Sequence, residues 1–290
     1  MTRSLLLIVL AVLLVGCGDD DPAPTPAPSA SATPSASASA SPSSEATTTY
    51  VALGDSYTAA PLISDDPAAD GCLRSSTNYP ALAAAALGYA LSDVSCSGAT
   101  TENLRTEQAT STETVPPQLD ALTPGTDVVT IGLGGNDDGI FQRMLTCAAT
   151  GSTDAGCRAG LEASIDGAAE RLGAALAAVR ERAPQAQVVV VGYPQILGPG
   201  SACPDRLPVA PSDLDYFAGL NQRLDDVQAG AAEAAGTPYV DLYDASAGHD
   251  ICSDDPWVNG AQSTPGVGLA FHPLAAGQQA AADLVVAALS

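Results

Sequence analysis

Five short apolar runs, at about 49–53, 90–95, 127–133, 186–192 and 238–242, alternate with helix-like segments along most of the chain. Runs such as Tyr50-Val51-Ala52-Leu53 and Val128-Val129-Thr130-Ile131 are near-continuously apolar rather than alternating, which is the pattern of strands buried on both faces. The longest helix-like stretches are Arg158–Arg182 and Ser212–Ala235, and Pro273–Leu289 closes the chain. Strands that alternate with helices require a parallel sheet covered on both sides, joined by right-handed crossovers. The predicted fold class is therefore α/β, a three-layer, doubly wound parallel sheet of about five strands with a flavodoxin-like arrangement. No internal repeat is apparent, and about 240 residues suffice for one domain with a full core.

The strand ends carry chemistry. The first run ends in Gly54-Asp55-Ser56, which leaves Ser56 at the carboxyl end of a strand, where open α/β sheets place their ligands. The third run passes into Gly132-Leu133-Gly134-Gly135-Asn136-Asp137, again a Gly-rich turn, here delivering an Asn. Between them lies the small-residue turn Cys96-Ser97-Gly98-Ala99-Thr100-Thr101, and near the end His272 precedes a Pro that opens the last helix. Ser, backbone amides, a side-chain amide and His are the set that acyl transfer uses as nucleophile, oxyanion donors and base. Each also has a plain structural role. Ser56 suits a helix cap, Asn136 a turn that bonds its own backbone, Gly98 a tight turn and His272 a helix start. Asp55 and Asp137 read as structural acids that bond loop amides. His249, the other histidine, reads as a loop residue near Cys252, and Tyr57 and Trp257 are candidate pocket residues.

Four blocks in order, GDSY at 54–57, SGATT at 97–101, GGND at 134–137 and FHP at 271–273, make residues 47–290 resemble the SGNH (GDSL-type) hydrolases. The disulfide-rich secreted esterases and lipases of actinobacteria are the most similar. The resemblance implies the SGNH hydrolase fold and a serine esterase, with Ser56 as nucleophile and His272 as general base. It implies an oxyanion hole formed by the Ser56 and Gly98 N–H groups and the Asn136 amide. One position departs from the common pattern, because Leu269 stands where many relatives carry an Asp three residues before the His. The carbonyls of Leu269 and Ala270 are then the expected acceptors for His272 Nδ1. Six domain cysteines allow 15 pairings, and the resemblance implies the sequential ones, Cys72–Cys96, Cys147–Cys157 and Cys203–Cys252.

Other chemistries are excluded by what the chain lacks. It has no G-x-S-x-G elbow, no H-E-x-x-H, no C-x-x-C pair, no P-loop motif and no Lys. No cofactor or metal is expected. Thirty-three acidic against 10 basic residues give a net charge of −23, which makes nucleic acid a poor partner.

The N-terminal segment indicates where the domain works. Arg3 precedes an apolar run, Leu5–Val15, of signal-peptide rather than membrane-spanning length. Leu14-Val15-Gly16-Cys17 resembles a bacterial lipobox, which implies a signal peptide over 1–16 and a lipid on Cys17. Of seven cysteines this leaves six, an even number suited to an oxidising compartment. Residues 17–46 then form a lipidated Cys and a Pro/Ala/Ser/Thr tether too poor in large apolar side chains to fold. The expected protein is an exported monomer, lipid-anchored to the outer face of the membrane and acting on an acyl ester of a lipid or small alcohol. The alternatives are an O-deacetylase of envelope glycans and a catalytically silent envelope-binding lipoprotein.

Overall fold

The structure, a computed structural model, describes residues 47–64, 70–150, 155–200, 202–207 and 209–290. Residues 1–46, on which the expectations of a leader, a lipidated Cys17 and a tether fall, lie outside the described residues.

Five parallel strands form the central sheet: β1 (Thr49–Gly54), β2 (Ala90–Asp93), β5 (Val128–Gly132), β6 (Gln187–Val191) and β7 (Tyr239–Val240). Between them in sequence, β3 (Gln108–Ala109) and β4 (Thr114–Val115) make a separate antiparallel hairpin. The sheet order is β2-β1-β5-β6-β7, the doubly wound arrangement predicted from the alternation. Winding reverses between β1 and β5, which pair in parallel from Tyr50↔Val128 to Gly54↔Gly132.

The near-continuous apolar runs are explained by the two layers that cover the sheet. Val51, Leu53, Val129, Ile131, Val188 and Val190 pack against Leu172, Leu176 and Val179 of α5 (Ala168–Arg182). Their neighbours Tyr50, Ala52, Val128, Val189 and Val191 face the other way, onto α2 (Tyr79–Leu87) and α8 (Ala275–Leu289). Burying one such Val or Leu side chain contributes roughly 1.5–3 kcal/mol.

A third cluster closes the end of the sheet where the strands terminate. It draws on α3 (Ile140–Thr150), α4 (Ala155–Asp166) and α6 (Pro211–Ala234). The single helix expected over 158–182 is two helices that break at Gly167. Gly is a weak helix former, and Arg171 reaches across the break to the Ser164 carbonyl at 2.5 Å. Three disulfides pair the cysteines sequentially: Cys72–Cys96 and Cys203–Cys252 join loops, and Cys147–Cys157 joins α3 to α4.

Candidate active site

Ser56 leaves β1 at the switch point and opens α1 (Ser56–Ala59), where Asp55 caps the turn by accepting from the Tyr57 N–H at 2.9 Å. Two buried amides fix the surrounding backbone. Gln118 accepts from the Gly54 N–H and donates to the Gly54 carbonyl, both at 2.9 Å. Gln278, from α8, donates to the Tyr57 carbonyl at 2.8 Å and accepts from the Tyr79 N–H at 2.6 Å. The loop is thus rigid before any substrate arrives, and Ser56 is only 6% exposed.

His272 Nε2 lies 2.8 Å from Ser56 Oγ, and its Nδ1 lies 2.7 Å from the Ala270 carbonyl. A carbonyl only accepts, so Nδ1 carries the proton and Nε2 presents its lone pair to the serine hydroxyl. The orienting carbonyl is Ala270, not Leu269, whose oxygen accepts from the Asn259 side chain at 3.1 Å and from the His272 N–H at 3.2 Å. Phe271 has φ +60°, and this left-handed turn brings the carbonyl two residues back against the ring. Among the described residues no carboxylate bonds His272. Tyr57 donates to the Phe271 carbonyl at 2.6 Å, and its ring lies 5.0 Å from the imidazole. Burial lowers the His272 pKa, partly opposed by the bond to Ala270.

Asn136 stands in the turn after β5, with its Nδ2 donating to the Ala99 carbonyl at 3.0 Å. One of its two amide protons is thereby used for orientation, and the other is left for a ligand. Gly98 adopts φ +82°, a backbone that L side chains rarely take, which accounts for Gly there. The N–H groups of Ser56 and Gly98 meet no protein acceptor among the described residues. Asp137 ties the two turns together, accepting from Thr101 N–H at 2.8 Å, Thr101 Oγ1 at 2.7 Å and Arg171 Nε at 3.1 Å. Asp55 is fully buried, and desolvation pushes its carboxyl up to about 7 although Tyr193 and the Tyr57 N–H both donate to it.

An apolar pocket of about 100 Å³ opens beside Ser56, Asn136 and His272. Phe141 and Met144 of α3, Ile196 and Leu207 of the loop after β6, and Phe217 of α6 line it. Tyr57 lines it too, whereas Trp257 lies outside and stacks on His249 with ring centroids 4.2 Å apart. His249 bonds the Asp255 carbonyl through Nδ1 at 2.7 Å and takes no part in the cluster. The sequence did not single out Gln118, Gln278, Asn259 or Tyr193, because isolated polar residues beyond the blocks carry no local signal.

Residues 52–280 match the model of the GDSL-like Lipase/Acylhydrolase family. Lipase 2 of Streptomyces coelicolor is 38% identical over 262 residues, 83% of this chain and 86% of that protein. Among solved structures, phospholipase A1 from Streptomyces albidoflavus NA297 superposes with a TM-score of 0.70 at 31% identity, covering 84% of this chain and 99% of that one. The extracellular lipase of Streptomyces rimosus gives a TM-score of 0.68 at 30% identity, over 83% and 99% of the two chains.

The burial of His272 makes a direct prediction. Its imidazole should titrate below the ordinary value of about 6.5, read from the pH dependence of its Cε1–H resonance in NMR. A midpoint above that value would mean that the ring is not desolvated as described.

Proposed function

The chain belongs to the GDSL-like lipase/acylhydrolase family and is a carboxylic ester hydrolase, and we propose that it works as a serine esterase through an acyl-enzyme on Ser56. The observation that carries this reading is the 2.8 Å contact between Ser56 Oγ and His272 Nε2, with Nδ1 held by Ala270. In the first step Oγ attacks the ester carbonyl, and His272 takes the hydroxyl proton. The tetrahedral oxyanion sits on the N–H groups of Ser56 and Gly98 and on the Asn136 amide. His272 then returns its proton to the departing alcohol. Water then enters and attacks the acyl carbonyl as it gives a proton to the same nitrogen, and the second tetrahedral intermediate breaks its bond to Oγ, releasing the acid while His272 returns that proton to Ser56. No carboxylate takes part, and the carbonyl of Ala270 fixes the tautomer without a charge.

The pocket argues for the acyl group. Its lining beside Ser56 is aliphatic and aromatic, which suits a hydrocarbon chain and gives an acetylated sugar few polar partners. An alkanoyl ester is therefore the favoured substrate, ahead of the glycan O-deacetylase reading. The intact Ser, Gly, Asn and His set argues against a silent binding protein. The disulfides and the likeness to the extracellular lipase of Streptomyces rimosus fit an oxidising, extracytoplasmic location, and attachment through a lipid on Cys17 rests on the lipobox alone. The domain division at residue 46/47 follows from the same reading.

Four outcomes are expected. Ser56→Ala should abolish ester hydrolysis and labelling by an organophosphonate while the protein stays folded, and Asn136→Ala should lower kcat by roughly 10²–10³ with KM little changed. Full activity in either variant would move the site elsewhere. Across a p-nitrophenyl ester series, run beside acetylated xylan and phospholipid, kcat/KM should rise from acetyl toward octanoyl. A steep acetyl preference would instead support the deacetylase. Cys17→Ser should release the protein from membranes with its turnover of soluble esters unchanged, and a variant that stays bound would sink the anchor.

A further inference from the structure

The residue before Ser56 and the residue before Asn136 are joined by a single phenol. Tyr193 follows β6, and its hydroxyl donates to Asp55 Oδ2 at 2.6 Å while accepting from the Gly135 N–H at 2.8 Å. All three are buried, Asp55 at 0% and Tyr193 at 1% exposure. The Tyr193 hydroxyl stays protonated, because burial and the neighbouring Asp55 both push its pKa well above the ordinary tyrosine value.

The link has no slack at either end. Asp55 Oδ1 holds the Tyr57 N–H, and the Asp55 N–H donates to the Gly132 carbonyl at 3.0 Å. Gly135 is pressed from its other side by Phe141, since a Cβ built on it would lie 2.0 Å from the ring. The Tyr193 ring meets both Tyr57 and Phe141 edge-on, at 5.0 and 4.9 Å. The phenol is thus wedged between the two turns that present the Ser56 N–H and the Asn136 amide.

Resting on the Ser56 reading above, we propose that Tyr193 is a positioning residue that sets the spacing of the oxyanion hole through Asp55 and Gly135. The backbone pairing of β1 with β5 ends at Gly54↔Gly132. Beyond it, the two turns carry one and three further residues before Ser56 and Asn136 respectively, and no ladder bond holds the Gly135 amide. The Tyr193 hydroxyl supplies that missing bond. A donor displaced by a fraction of an ångström still binds the ground-state carbonyl but meets the developing oxyanion poorly, so the effect falls on kcat. Tyr193 itself does not line the acyl pocket, and Tyr193→Phe keeps the ring against the lining residues Tyr57 and Phe141, so the loss does not depend on chain length.

The test is Tyr193→Phe, which keeps the ring and removes the hydroxyl, assayed with p-nitrophenyl acetate and octanoate. The expected result is a fall in kcat of about 10–100-fold, equal for the two esters, with KM within about twofold, below the full loss of an oxyanion donor. In Asn136→Ala the same change should add little further loss, because the two residues act on one step. Where Tyr193→Phe does not fold, Asp55→Asn, which retains an acceptor for the Tyr57 N–H and removes the carboxylate from the phenol, reads the same link. The proposal is overturned by a kcat within about twofold of the parent, by a loss that differs between the esters, or by additive losses with Asn136→Ala. Ser56→Ala run in parallel separates the outcomes. If it is inactive while Tyr193→Phe is normal, only the positioning role fails. If it stays active, the serine reading itself fails.

Discussion

The register of β1 against β5 is the constraint on which the site depends. These strands are neighbours in space but are separated in sequence by β2 and the β3–β4 hairpin, and their pairing runs to Gly54↔Gly132. Because both end at one level, their following turns emerge side by side at the point where the winding reverses. The Asp55 N–H extends the ladder by one bond to the Gly132 carbonyl, at 3.0 Å. A slip of one residue would exchange the two faces of β1. Tyr50 and Ala52 would turn toward α5, Val51 and Leu53 toward α2 and α8, and Ser56 would leave its place beside Asn136. The core and the site are therefore specified by one alignment.

The C-terminal part of the chain reaches this point by a different route. His272 lies on an irregular segment with no strand beneath it, and the segment is fixed piece by piece. The Leu269 N–H donates to the Pro61 carbonyl at 3.1 Å, the Asn259 N–H donates to the His272 carbonyl at 2.8 Å, and the Tyr57 hydroxyl holds the Phe271 carbonyl. Val258 and Pro273 form an isolated bridge. The Cys203–Cys252 disulfide ties the stretch preceding this segment to the loop that carries Leu207 of the pocket wall. In the proposed dyad a base held in this way needs no acid to orient it, since the backbone that positions the ring also supplies the acceptor.

How much of this was legible in the sequence depended on whether the signal was local. The strands were, because burial on both faces leaves an apolar run that survives in one dimension, and the observed spans differ mainly by one or two residues at the ends. Ser56, Gly98, Asn136 and His272 were singled out because each stands at a strand end, a tight turn or a helix start. The choice between Leu269 and Ala270 was not legible, since it turns on the left-handed φ of Phe271, a residue with no reason in its type to adopt one. The break at Gly167 was marked by a glycine inside a helical pattern, a weak cue that tertiary contacts decide. Tyr193, Gln118 and Gln278 were invisible for a further reason. Their partners lie 58 to 221 positions away in the chain, so no window of sequence contains both ends of the bond.

In the proposed dyad the base packs against an aromatic ring rather than an acid. In a triad the carboxylate offsets the charge of the imidazolium that forms during attack. Here the Ala270 carbonyl offers only a dipole, and burial disfavours the charged ring further. Tyr57 lies against the imidazole at 5.0 Å, with an interplanar angle of 33°, so the forming cation meets the negative face of a π-system. A neutral environment of this kind stabilises the imidazolium less than a carboxylate does, but it also keeps the resting histidine unprotonated. For a base whose task is to accept a proton, that second effect widens the range of acidity in which the site is ready. The same aromatic surface then continues through Phe141 into the acyl pocket, so the ring that packs on the half-buried histidine also borders the space in which the hydrocarbon chain of the substrate would lie.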